Sequence, residues 1–201
     1  GNHYKDILKK YYPNEIKIIG ALRYDEFYKK KLLKKKVKSS KFTILVCPTI
    51  GDEQTIIASL NKINLESYKI IVSPHPVIFD KTIDKFKRDL DKSFDYYKNL
   101  SSSEIITSAD LVLCGFSSMS LDSLMLGIPA VRLIDEKYPF HFDLKDGIKY
   151  FTDSDSLKKY LSQRKKENNF YKIKSICKNF FYKIDNKSYE RFWRSIPKKY
   201  L

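Results

Sequence analysis

From Phe42 onward the chain alternates short apolar runs with helix-like stretches, and few folds can use that alternation. The runs Phe42–Cys47, Tyr68–Ser73, Leu111–Leu113, Ala130–Ile134 and Ile148–Phe151 are each too short for a stable helix, and Pro, Gly, Ser or Asp residues flank them. Between them Glu53–Ile63 and Asp80–Leu90 read as helices, and Ser101-x-x-Glu104 has the pattern of a capping box that opens another. Runs that are apolar at nearly every position belong to strands covered on both faces, which are parallel strands joined by helical crossovers. The expected fold class is α/β: a Rossmann-like parallel sheet of about six strands, counting a short run at Phe94–Tyr97, with helices on both faces.

The flanks read differently. Tyr4–Tyr11 looks like the end of a helix broken by Pro13, and Glu15–Ile19 like a short strand ending at Gly20. Tyr24–Lys38 is lysine-rich with a thin apolar stripe, a helix or a linker. After the last strand, Ser154–Ser162, Asn168–Ile184 and Tyr189–Ile196 are helical, the last carrying the single tryptophan, Trp193. The expected organisation is residues 1–40 as the end of a preceding domain with a basic connector, 41–186 as the Rossmann-like domain, and 187–201 as a C-terminal helix and tail.

With 201 residues, 42% of them hydrophobic, the chain can bury a substantial core. Its formal charge of +15 is unevenly spread. Lysines crowd residues 29–38, whereas acidic residues outnumber basic ones between Glu104 and Asp155. A basic surface of this kind suits an anionic membrane face or is simply solvated, and a nucleic acid is not the expected partner, because the basic cluster lies away from the special residues below. Cys47, Cys114 and Cys177 are far apart in sequence and read as core thiols of a reducing compartment. No apolar run approaches the roughly 20 residues that span a bilayer, and no secretory signal pattern opens the chain. The expected location is cytoplasmic, with peripheral attachment to the inner membrane face.

Ligands of open parallel sheets bind beyond the carboxyl ends of the strands, near the point where strand order reverses. Thr49, Gly51 and Asp52 follow the first strand, His75 and Pro76 the second, and Gly115, Phe116, Ser117 and Ser118 the run Leu111–Leu113. His75 lies between Pro74 and Pro76, so its backbone is extended and its imidazole can donate to a phosphate oxygen; a turn histidine without a ligand has the same surroundings in sequence. A strand that opens through Gly and Ser into a helix offers amide groups and the positive end of a helix dipole to a phosphate. Ser117 and Ser118 equally suit a plain helix cap. Asp122, further into that helix, is placed either to accept from ribose hydroxyls or to face solvent. Asp89-Leu90-Asp91 resembles a metal-binding pair but lies among Lys85, Lys87, Arg88 and Lys92, as surface carboxylates do. No phosphate-binding glycine loop, nucleophile elbow or metal-ligand spacing occurs, so no general base is evident.

The series strand, His75-Pro76, strand, Gly-Phe-Ser117-Ser118-x-x-x-Asp122-x-x-x-x-Gly127-x-Pro129 resembles the C-terminal, donor-binding half of GT-B glycosyltransferases. Within that class it is most similar to bacterial surface-polysaccharide enzymes such as Kdo transferases and bacterial sialyltransferases, and more loosely similar to UDP-N-acetylglucosamine 2-epimerase and CDP-glycerol glycerophosphotransferases. The resemblance covers residues 15–196. It implies that His75 contacts the donor phosphate and stabilises it as it leaves, and that Ser117 and Ser118 hold that phosphate. It implies that Asp122 stands where many members carry a longer, ribose-binding Glu, and that Glu104 and the Thr49–Glu53 loop line the nucleotide or sugar. It further implies a nucleotide-sugar donor, a CMP-sugar before a UDP-sugar, no metal cofactor, and a role in capsule, lipopolysaccharide or O-antigen synthesis. The general base and the glycan or lipid-linked acceptor would come through an N-terminal domain, so this stretch alone would bind donor without transferring it. Two other readings stay open at this point: a basic nucleic-acid-binding α/β module, and a non-catalytic GT-B-like subunit of an assembly complex.

Overall fold

The computed structural model describes residues 2–12, 15–22, 25, 40–100, 102–135, 148–164, 183 and 185–197. In chain order their elements are α1 (Asn2–Lys9), β1 (Phe42–Cys47), α2 (Glu53–Asn61), β2 (Tyr68–Val72), a 3-10 turn (Pro76–Ile78), α3 (Phe79–Asp89) and the one-turn α4 (Ser102–Ile105) with a 3-10 turn (Ile106–Ser108). There follow β3 (Leu111–Cys114), α5 (Met119–Met125), β4 (Ala130–Leu133), β5 (Lys149–Phe151), α6 (Ser154–Arg164) and α7 (Ser188–Ser195). The strands form one parallel sheet in the order β2-β1-β3-β4-β5. The α/β class is as expected, with five strands among the described residues rather than six.

The difference has two local causes. Phe94–Tyr97 does reach the outer edge of β2, but only Asp95 pairs: its amide donates to Ile70 O at 2.9 Å and its carbonyl accepts from Val72 N at 2.8 Å. Phe94 and Tyr96 turn their rings into an aromatic chain with Phe79 and Phe86 instead of continuing a ladder. Glu15–Ile19 is described without strand pairing. The expected helices over Tyr24–Lys38 and Asn168–Ile184, the capping residue Ser101 and Cys177 lie largely or wholly outside the described residues.

Alternate residues of each strand face opposite layers. Ile44, Val46, Ile70, Val72, Leu111, Leu113, Val131 and Leu133 face one of them, where they pack with Ile56, Ile57 and Leu60 of α2, Ile83 and Phe86 of α3, and Leu157 and Leu161 of α6. Leu45, Ile71 and Val112 point the other way and are equally buried. That two-sided burial explains why the strands read as unbroken apolar runs. Register in the central pair is pinned by Asp110, whose carboxylate accepts from Thr43 N at 3.0 Å and whose amide donates to Thr43 O at 2.8 Å.

The sheet and its helices form one compact unit, residues 36–123 and 128–168. A second unit groups residues 1–35, 124–127 and 169–201. In it the Arg191 guanidinium donates to Ile19 O at 2.7 Å and to both Asp185 oxygens at 2.9 Å, while Asp25 accepts from the amides of Ser188 and Tyr189 at the start of α7. Gly20 has φ +100°, and a Cβ there would lie 2.6 Å from Ser188 Oγ, so this approach needs glycine.

Candidate functional site

The chain leaves β1 for β2 on one side and later returns to β3 on the other. This reversal lies at the loops that follow β1 and β3, the place where open parallel sheets bind ligands. These two walls are the loop 48–52, where Gly51 adopts φ +94°, and the turn 115–118. Loop 73–76 adjoins from β2: the His75 amide donates to Pro48 O at 3.4 Å, and Ser73 N to Val46 O at 2.8 Å. The topology thus gathers Thr49, Gly51, Asp52, His75, Pro76 and Gly115–Ser118 on one sheet edge.

Asp52 joins the two walls. Its Oδ1 accepts from Thr49 N at 2.7 Å, and its Oδ2 accepts from Thr49 Oγ1 at 2.7 Å and from Phe116 N at 3.2 Å. Gly115 makes the approach possible, since a Cβ there would collide with Asp52 Oδ2 and lie 2.8 Å from its Cβ. Asp52 is only 4% exposed. Burial lifts its carboxyl above the usual carboxylate range, although the three hydrogen bonds pull it down; Glu53 adds a smaller upward push. Asp52 therefore faces inward, and Thr49 spends its hydroxyl on it.

His75 is exposed and caps the 3-10 turn: its Nδ1 accepts from Val77 N at 3.3 Å. A neutral ring accepting at Nδ1 carries its proton on Nε2, which is then the donor for an external oxygen. Pro76 begins the turn and is likewise exposed. Ser117 Oγ accepts from Met119 N at 3.2 Å, so the hydroxyl caps α5, a helix of seven residues. Ser118 is exposed, and its carbonyl accepts from Leu121 N and Asp122 N. Glu104 is exposed in the first turn of α4.

Asp122 is 0% exposed, which corrects the solvent-facing alternative for it. After burial, its charge is one of the smaller influences that push up the Cys47 thiol. Cys47, Cys114 and Arg132 are register partners in one row across the last rung of the sheet. Arg132 Nη2 donates to Ser120 Oγ at 3.2 Å from α5 above. Burial raises Cys47 well above the usual thiol range and Cys114 to about 12, the latter in spite of Arg132. These are inert core thiols beneath the site.

Sequence reading missed a groove of about 690 Å³ beside this edge. One face of α2 lines it with Gln54, Thr55 and Ser59, and opposite lie Asp135 after β4 and Thr152 and Asp155 after β5. Thr55 Oγ1 donates to Asp135 Oδ2 at 3.3 Å across it. The signal was present as small and polar residues at 54, 55, 58 and 59 of a helix whose other face carries Ile56, Ile57 and Leu60. Asp89 pairs with Arg88 at 2.7 Å and Asp91 with Lys92 at 3.3 Å, and no group of three His, Cys, Asp or Glu able to hold a metal occurs among the described residues.

No family model and no curated protein matches the chain. Solved structures do match in fold. The wall teichoic acid polymerase TagF is 18% identical with a TM-score of 0.61, covering 95% of this chain and 54% of its own. TagF soaked with CDPG superposes with a TM-score of 0.59. A putative UDP-N-acetylglucosamine 2-epimerase from Listeria monocytogenes is 13% identical, with a TM-score of 0.61 over 90% of this chain and 53% of that one. S. aureus MnaA, solved with UDP, is 13% identical, with a TM-score of 0.58 over 87% and 51%. The chain spans about half the length of these proteins. The likeness is one of fold: a Rossmann-like sheet of the kind that makes one half of a GT-B architecture.

Proposed function

We propose that this chain is the donor-binding half of a GT-B glycosyltransferase of bacterial surface-polymer synthesis, taking a nucleotide-activated donor at the carboxyl edge of β1 and β3. The observation that carries this is the convergence of loops 48–52, 73–76 and 115–118 at the one strand-order reversal of a parallel sheet. The likeness of fold to TagF and MnaA supports it, since structures of those proteins were obtained with CDPG and UDP. A cytidine-activated donor, CMP- or CDP-linked, is the first choice. Its phosphate lies by His75, and its sugar or base reaches the groove lined by Gln54, Thr55 and Asp135.

In this reading an acceptor hydroxyl attacks the anomeric carbon of the donor, and the bond to the phosphate oxygen breaks. His75 Nε2–H donates to that oxygen as negative charge gathers on it. The general base and the acceptor, a glycan or lipid-linked chain, come from a part of the enzyme beyond this chain. The domain assignment of residues 41–186, the absence of a metal requirement and peripheral attachment to an inner membrane face belong to the same proposal.

Calorimetric titration with CMP, CDP, UDP and their sugar conjugates tests it. Binding of a cytidine nucleotide, weakened about tenfold by His75→Ala as expected for loss of a hydrogen bond to a charged group, supports the reading. Binding of none of them, or unchanged binding by His75→Ala, overturns it.

A further inference from the structure

We infer that Asp52 is a positioning residue of this edge: its carboxylate holds the loop after β1 and the turn after β3 in the arrangement that receives the donor phosphate, without itself touching the ligand. The inference rests on the donor-binding reading above and assigns the residue that shapes that site.

Three observations carry it. Asp52 stands at the N-cap of α2, where an aspartate ordinarily accepts from an amide of its own helix, yet it makes no side-chain cap. The carboxylate is turned away and spends its oxygens on Thr49, on its own loop, and on Phe116, which is 64 positions away in sequence. The turn in its path carries glycine at position 115, the residue that leaves room for a carboxylate. Finally, a carboxylate almost closed to water, with Cys47, Cys114 and Glu53 as titratable neighbours and Arg132 near Cys114, is costly to keep charged. Surface capping would not require that burial. Joining two loops does.

Removing the acceptor leaves Thr49 N or Phe116 N without its partner and frees turn 115–118 from loop 48–52. An amide in place of the carboxylate cannot repair this, because its NH2 end must face a donor whichever way it is turned. Neutralising the carboxylate with a proton acts in the same direction. Since burial raises its pKa, the ionised clamp is lost as pH falls through a value above that of an ordinary carboxylate.

The experiment is calorimetric titration of the whole chain with CDP and UDP at pH 7.5, for wild type, Asp52→Asn, Thr49→Val and Thr49→Ser. Alongside it, the Phe116 amide proton is followed by NMR as pH is lowered without nucleotide. Expected are about a tenfold loss of affinity in Asp52→Asn, a smaller loss in Thr49→Val, and near-wild-type affinity in Thr49→Ser, which keeps the hydroxyl. The Phe116 amide should titrate in wild type with a midpoint above the usual carboxylate value and not in Asp52→Asn. If Asp52→Asn does not fold, Thr49→Val carries the affinity test. Wild-type binding with unaltered affinity in Asp52→Asn or, where that variant does not fold, in Thr49→Val, or a Phe116 amide that does not titrate, overturns the positioning role alone. No binding by wild type overturns the donor reading and this role with it.

Discussion

Gly115 and Asp52 show how a single missing carbon shapes an edge. Adding a methyl group at position 115 drives it into the Asp52 side chain, with Cβ to Cβ at 2.8 Å, and neither backbone can yield easily because both follow central strands. Gly115→Ala should therefore cost about 1–3 kcal/mol of stability, the range for overpacking a tight site. Urea unfolding with an unchanged m-value would check it, and a cost below about 0.5 kcal/mol would mean that the two loops are looser than described. Placement of Gly115 at the edge was legible in sequence, because a strand ending in Gly-Phe-Ser-Ser has few alternatives. The partnership with Asp52 was not. Nothing local links residues separated by 64 positions, and an aspartate before a helix reads first as a cap. The burial of Asp122 was hidden for a related reason: its polarity suggests a solvent face, and only the tertiary fold leaves it 0% exposed.

Elements were more legible than single residues. Strands β1 to β5 fall where short apolar runs predicted them, since two-sided burial leaves the inner strands apolar at every position but Thr43 and Arg132. The run Phe94–Tyr97 makes only the single Asp95 bridge to β2, while its aromatic rings pack against Phe79 and Phe86 of α3. Phe86 of α3 is fully buried and meets the Phe94 ring edge-on with centroids 5.9 Å apart. Phe86→Ala should lose about 3–5 kcal/mol, read by chemical denaturation, and should loosen the Asp95 bridge on the edge of β2. A loss under about 1 kcal/mol would show that α3 does not seal that layer.

For the whole molecule, the charge of +15 says more about behaviour in solution than about the site. Association with RNA should fall steeply between roughly 50 and 200 mM salt and should be indifferent to His75→Ala, as counter-ion release by surface lysines requires. Filter binding at the two salt concentrations measures this. RNA binding that persists at the higher salt would favour the nucleic-acid module over a donor site. The fold of the sheet unit was readable from alternation alone, and the carboxyl edge followed from it. The groove beside α2 was not, because small polar residues on a helix look like an unremarkable solvent face until β5 and α6 close the other side.

Two aspartates bracket the central strand pair. Asp110 fastens the start of β3 to Thr43 at the start of β1, and Asp52 fastens the turn beyond β3 to the loop beyond β1. Sliding β3 along β1 by one residue would break both fastenings at once, so the pair behaves like a drawer latched at front and back. Divergence among proteins built this way then has an unequal freedom. The loops after β1 and β3 are held to one geometry, whereas Gln54, Thr55 and Ser59 on the wall of α2 take part in neither latch. Under the donor-binding proposal, a change of substrate would be accommodated along that wall.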